Sequence, residues 1–369
     1  MEEIMLTKLV PPSYGTRLLT RKRLLQLIKT DNGNSRFLII TAPAGYGKTV
    51  FAQQLSQSFE QPLVWLQLDR HDNDPAAFLH CLVTGLRQHW PELGNKAIQL
   101  AAQGGEAGNN PRLVVSILVN DLLRYRANPV LVFDDTHELN EPSVLLLLKE
   151  LLDNLPSGIF SILAGRTAIP LKLNHYYTTG KAHHLGAAEL SFTNDEIREL
   201  LQERYGPQPN KIVKEVERLT GGWPVTIEFS DMLLPEIKSN REHLNLKKKA
   251  SLFDYLASEV LEKQLPEHRK FLLESSVLET LSPDLCDQLL NRNDSKTILT
   301  ALNEQHNLLI PLAGIDNTYR IHHLLRFFFL QKLGSKRCQL QRQAGRHAEE
   351  LVDRSTSLTA KGDSKACVK

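Results

Sequence analysis

The segment Phe37-Leu-Ile-Ile-Thr41-Ala-Pro-Ala-Gly-Tyr-Gly-Lys-Thr49 constrains the fold of this chain more than any other. An apolar run enters a loop holding Gly45 and Gly47. Lys48 and Thr49 then open a stretch with Phe51, Leu55 and Phe59 on one helical face. A strand that turns through glycines into a helix aims successive backbone N–H groups, and the positive end of the helix, at one anion. Lys48 adds a mobile ammonium suited to β- and γ-phosphates, and the Thr49 hydroxyl suits Mg²⁺. The predicted phosphate-binding set is Ala42, Pro43, Ala44, Gly45, Tyr46, Gly47, Lys48, Thr49 and Val50. Ala42 departs from the usual pattern, which has glycine there; the site is a strand end rather than the tightest bend.

A buried strand of this kind needs neighbours. Leu63–Leu68, Val130–Asp134 and Ile159–Leu163 are further short apolar runs, as expected for parallel strands covered on both faces. Between the second and third lies a long helical stretch, interrupted by the polar, Gly-containing segment Gln103–Asn110, an expected exposed loop. Asp134-Asp135 closes the third run. Two acids after a strand can be a solvated turn or a cap; downstream of a phosphate loop they fit other tasks. Asp134 would hold Mg²⁺ through water, and Asp135 would polarise an attacking water. Arg166 ends the fourth run and is placed to sense the γ-phosphate, or to be an ordinary surface arginine.

Near residue 190 the pattern changes to helices. Thr193-Asn-Asp-Glu196 has the spacing of a capping box. Lys238–Lys249 is polar and basic and reads as a linker. Helices resume after Ser251, one opening with Ser282-Pro283, an N-cap followed by proline. Leu308–Pro311 and Thr318–Ile321 flank Gly314–Asn317 as a β-hairpin, and a helix follows from about His322. Helices, a hairpin and another helix give a winged-helix shape. The end, from about Ser355, is polar and aperiodic.

Composition narrows the function classes. Lys plus Arg is 44 against 42 Asp plus Glu, a balance of +2, which argues against a purely electrostatic polyanion binder. The cysteines at 81, 286, 338 and 367 form no CxxC pair and read as thiols of a reducing compartment. No apolar stretch approaches a membrane span, and the acidic start is unlike a signal peptide. The expected location is the cytoplasm.

Ala-Gly-Tyr-Gly-Lys-Thr, the Phe-Asp-Asp strand end and Ala-Gly-Arg-Thr, in this order, resemble the signal-transduction ATPases with numerous domains, the STAND class. The likeness is greatest to ATP-dependent bacterial transcription activators of the maltose-regulon type, which end in a LuxR-type DNA-binding domain. Leu6–Pro12, Arg21–Leu25, Trp65–Asp69, Phe253–Leu256 and Phe271–Leu278 agree with it. The resemblance implies an α/β P-loop domain with a parallel sheet, then a small helical domain and a winged-helix domain. The expected boundaries are 1–190 for the P-loop domain and 191–237 for the helical domain. A basic linker at 238–250, the winged helix at 251–333 and a helical tail at 334–369 complete them.

The resemblance further implies that Pro224 packs near the adenine and that His322 touches the β-phosphate of ADP, with His323 as its rival. Trp223 has a simpler reading as a core anchor. Arg17 and Arg21, in the N-terminal lead, are adenine-side candidates or plain surface charges. The expected ligands are ATP or ADP with Mg²⁺, with Lys48 and Asp135 serving slow hydrolysis. ADP would lock a closed monomer, and ATP would promote opening and self-association. Residues 331–369 hold nine Lys/Arg against four Asp/Glu, which a solvated face explains, so no direct DNA contact is expected. Neither sensor repeats nor a DNA-reading helix is legible, so partnership with a full-length regulator is one expectation. The rival readings are an AAA-like ATPase with continuous turnover and an ADP-bound fragment that modulates a longer relative.

Overall fold

Each apolar run alternates its side chains between two cores, and that alternation builds the first unit. The computed structural model describes residues 4–13, 18–29, 35–103, 110–227, 261–306 apart from 263, 309–311, 317–321, 323–334, 336 and 340. After Leu200 the chain divides into two compact units.

In the first unit, α1 (Lys22–Lys29) precedes β1 (Phe37–Thr41) and α2 (Lys48–Ser56) follows it. Then come β2 (Leu63–Gln67), α3 (Pro75–Arg87), α4 (Asn95–Gln103) and α5 (Pro111–Arg124). Next are β3 (Val130–Asp134), α6 (Pro142–Asn154), β4 (Phe160–Gly165), α7 (Asn174–Thr178), β5 (Ala182–Leu185), α8 (Ala187–Leu190) and α9 (Asn194–Tyr205). The strands form one parallel sheet in the order β2-β3-β4-β1-β5. Phe37, Ile39, Leu66, Phe133 and Leu163 enter one core, beneath α3 to α6. Leu38, Ile40, Trp65, Val132 and Ile162 enter the other, beneath α1 and α2. Burial on both faces is why these strands read as continuous apolar runs.

Three features of the unit differ from the sequence expectation. The helical stretch between β2 and β3 is already broken before Gln103, between α3 and α4, where Gly94 takes φ +78 and a Cβ would lie 2.7 Å from Val83. Residues 104–109 of the expected loop lie outside the described residues. The edge strand β5, Ala-His-His-Leu, was not anticipated; two of its four residues are histidines. The fourth strand runs Phe160–Gly165 rather than Ile159–Leu163, and the second stops at Gln67.

The capping box is present as expected. The Thr193 hydroxyl accepts from the Glu196 amide at 3.3 Å, and the Glu196 carboxylate accepts from the Thr193 amide at 3.0 Å.

In the second unit, α10 (Asn210–Thr220) ends at Gly221, φ +58, and α11 (Pro224–Ile227) begins with a proline. Helices α12 (Pro266–Ser275), α13 (Pro283–Leu290) and α14 (Ser295–His306) lead to β6 (Leu309–Pro311). That strand pairs antiparallel with β7 (Tyr319–Ile321) before α15 (His323–Leu333). The Ser282 hydroxyl caps α13 by accepting from Leu285 N. Phe328 and Phe329, both fully buried, anchor α15. The expected linker, the expected tail apart from residues 334, 336 and 340, Phe253–Leu256, and Cys338 and Cys367 lie outside the described residues; Cys81 and Cys286 are buried free thiols. Among the described residues no helix is long and apolar enough to cross a membrane.

Candidate nucleotide site

The loop after β1 is shaped by two left-handed glycines. Gly45 has φ +79 and Gly47 φ +76, a region that costs an L-residue about 1–2 kcal/mol. Gly47 is the N-cap of α2, so Lys48 and Thr49 occupy its first turn. A Cβ built on Gly47 would meet nothing within 4 Å, so the space above this glycine is open. Ala42 is wholly buried, and its N–H bonds Gly165 O at 3.2 Å. It belongs to the sheet, as its place before the bend requires. Pro43 O accepts from Lys48 Nζ at 3.0 Å, which folds the buried ammonium over the loop. Ala44 and Val50 are half-buried at its two ends. Tyr46 packs against the α2-side core, and burial pushes its phenol up to about 12.

Strand order brings the acids to this loop. β4 alone separates β1 from β3, so Asp134 and Asp135 leave the sheet at the same edge as Lys48. Asp134 is 1% exposed. Burial, then the neighbouring Asp135, pushes its carboxyl up to about 6, although it accepts a hydrogen bond from Thr49 and lies in the field of Lys48. Asp135 is left-handed, φ +58, its N–H donating to Asp134 Oδ1 at 3.1 Å and its Oδ2 lying 3.5 Å from Gln67 Nε2. Arg166 directly follows β4 and is half-buried, and its charge reaches His137. His137 was missed in the sequence; its signal there is only its place two residues after Asp135.

Arg21 is no surface charge: it is buried, its Nε donating to Glu196 Oε1 at 3.1 Å and its guanidinium lying 4.4 Å from the Phe192 ring centre. Arg17 and His322 lie outside the described residues. His323 opens α15. In the second unit Trp223 is a buried core residue and Pro224 begins α11 half-buried.

The donor set fits a magnesium nucleotide. Thr49 and Asp134 offer hard oxygens, suited to Mg²⁺, and a raised carboxyl pKa marks a buried negative charge that a cation would relieve. The open cradle above Gly47 fits a phosphate.

The parallel sheet and this strand order define a P-loop ATPase of α/β fold, followed by a winged helix. Residues 17–163 match the AAA ATPase domain and residues 257–343 the MalT winged helix domain. The HTH-type transcriptional regulator MalT of Vibrio cholerae is 24% identical over 332 residues, 87% of this chain and 36% of that protein. The serine/threonine-protein kinase PknK of Mycobacterium tuberculosis is 26% identical over 349 residues, covering 92% of this chain and 31% of PknK. This chain thus spans about a third of the length of these relatives. In fold it is similar to the Walker-type ATPase of Pyrococcus abyssi, with a TM-score of 0.60, 15% identity and coverage of 88% of this chain and 99% of that one. The chain thus carries a P-loop ATPase domain related to that of MalT, followed by a match to the MalT winged helix.

Proposed function

We propose that the chain is an ATP/ADP-operated switch in a bacterial transcription-regulator system, held by ADP and opened by ATP. The observation that carries this reading is the joint placement of Lys48, Thr49, Asp134 and Asp135 at one sheet edge, beside a loop with open space for phosphate. Loop N–H groups and Lys48 bind the phosphates. Thr49 and Asp134 would hold Mg²⁺, which would supply positive charge to the phosphates. In hydrolysis a water oxygen bonds to the γ-phosphorus while the bond to the β–γ bridging oxygen breaks, leaving ADP and phosphate. Asp135 accepts the water proton, and Arg166 reads the departing phosphate.

A reset of this kind suits a switch better than a motor. A near-complete exchange of states needs about 5.5 kcal/mol of differential affinity between the two nucleotides. Pro224 near the adenine and His322 on the ADP β-phosphate would supply part of that preference. Self-association follows opening, and a longer regulator is the natural partner. His322→Ala is expected to weaken ADP more than ATP in titration calorimetry; equal losses would remove the lock.

The primary test is release of nucleotide from freshly purified protein, quantified by chromatography. Near-stoichiometric ADP supports the closed switch. An empty protein that turns over added ATP rapidly would overturn it in favour of a continuously cycling AAA-like ATPase.

A further inference from the structure

The parallel strands β1 and β4 begin side by side, at the end of the sheet away from the candidate nucleotide site. A cavity of about 420 Å³ lies there, a volume within the range of small-molecule sites. Its floor is apolar. Ile28 of α1, Leu55 of α2 and Phe160 of β4 are buried at it, and the Phe59 and Phe160 rings lie 5.0 Å apart, tilted by 32°. Gln61 Nε2 donates to Gly158 O at 3.2 Å and ties two parts of the rim together.

One side chain gives the cavity its electrostatic character. Arg36, immediately before β1, is the one charged residue among the described residues that line it, and no carboxylate lines it. Arg36 Nη2 donates to Leu155 O and, at 3.2 Å, to Pro156 O. Its guanidinium carbon lies 5.6 Å from the Phe37 ring centre. These partners fix the guanidinium in place, but all are neutral, and an arginine keeps its charge at any ordinary pH. Arg36 Nε is buried and has no hydrogen-bond partner, which is uncommon for a polar atom inside a protein. The group is thus pre-organised and short of an acceptor of opposite charge.

We propose that this cavity binds a small organic carboxylate with an aromatic or branched apolar body. The body lies against Phe59 and Phe160, and the carboxylate accepts from Arg36. Guanidinium and carboxylate match in charge and in their planar shape. An amine would face an uncompensated cation, and a purely polar anion would leave the aromatic floor without contact. The proposal does not rest on the nucleotide reading, because the two places lie at opposite ends of the sheet.

The test uses the full chain and 3-phenylpropionate as test ligand, with 3-phenylpropanamide as its neutral counterpart, each titrated by ligand-detected NMR. The acid should bind with a Kd on the order of a millimolar, as suits a ligand of about eleven non-hydrogen atoms. The amide should bind about tenfold more weakly, the difference between a charge-assisted and a neutral hydrogen bond. Saturating ADP with Mg²⁺ should leave both affinities unchanged.

Two variants locate the site. Arg36→Gln should bring acid and amide within about twofold of each other. Ser58 lines the cavity from an exposed position, so Ser58→Trp should fill it, weaken the acid more than tenfold and keep the thermal midpoint within a few degrees. Five results would each overturn the proposal: no binding at about 10 mM, an amide as tight as the acid, displacement by ADP, an acid preference that survives Arg36→Gln, or unchanged affinity in Ser58→Trp. Should Arg36→Gln not fold, the acid–amide contrast and Ser58→Trp decide.

Discussion

Two groups of buried charges in the first unit stand in contrast. At one, Arg21 donates to Glu196 and to Ser191 O and lies against Phe192, while Glu196 also accepts from the Thr193 amide. Long-range pairing and a helix cap satisfy each other there, and the group is closed. At the other, two adjacent carboxylates lie near Lys48, Asp134 is pushed up to about 6, and His137 Nδ1 has no partner. Folding completes the first group and leaves the second electrostatically strained. A site kept in that condition costs stability, which a ligand of matching charge can return.

The sharpest way to break this comparison is Lys48→Ala. Several charge-assisted bonds of about 1.5–3 kcal/mol each depend on this ammonium, so nucleotide affinity should fall on the order of a thousandfold. The nucleotide-free protein should melt within a few degrees of the wild type, because Lys48 serves the ligand rather than the core. Calorimetric titration with ADP and ATP, alongside a thermal scan, reads both quantities. Unchanged affinity would remove the phosphate-loop assignment.

The closed group should behave oppositely. Arg21→Ala leaves Glu196 buried without its chief partner, a change that costs about 3 kcal/mol. Denaturant unfolding should show that loss, while ATP affinity at a temperature where the variant is folded stays within about threefold. A variant that keeps its stability but loses nucleotide would place Arg21 with the ligand and dissolve the contrast.

Asp134 gives a pH signature of the open group. Its folded-state pKa, about 6, is raised above the ordinary value of 3.8. The stability contributed by the neutral carboxyl is therefore present below about pH 4 and is lost as pH rises through about 6. Asp134→Asn keeps the neutral form throughout. In nucleotide- and magnesium-free protein it should be more stable than the wild type above pH 6, by about 3 kcal/mol, with the gap closing towards pH 4. Equilibrium unfolding across that range measures the gap; a pH-independent difference would mean that Asp134 is already compensated.

The local features of both groups were legible in the sequence because they are local. The strand–loop–helix with Lys48, the Phe-Asp-Asp strand end, the Thr193–Glu196 box and the Ser282-Pro283 start all depend on neighbours within a few positions. What escaped depends on distance or on weak patterning. Arg21 and Glu196 are 175 positions apart, and nothing in either segment announces the other. β5 carries histidines where an apolar run was sought. The α3–α4 break turns on Gly94 fitting against Val83, a packing constraint invisible to periodicity. His137 looks like any turn residue until the strand order sets it between Asp135 and the end of β4.

Gly47→Ala offers the smallest effect and a fine measure of what the open group is open for. Gly47 has φ +76, so any side chain carries a backbone strain of about 1 kcal/mol, visible as a small drop in unfolding free energy. The methyl itself meets nothing within 4 Å in the ligand-free protein, so no clash adds to that strain. With nucleotide present the same methyl enters the space assigned to phosphate. The loss in ADP affinity should therefore exceed the loss in stability, and the two can be compared in one preparation by unfolding with and without ADP. Equal losses would mean that the space above Gly47 is not where the phosphates sit, and the loop would have to bind them from its other side.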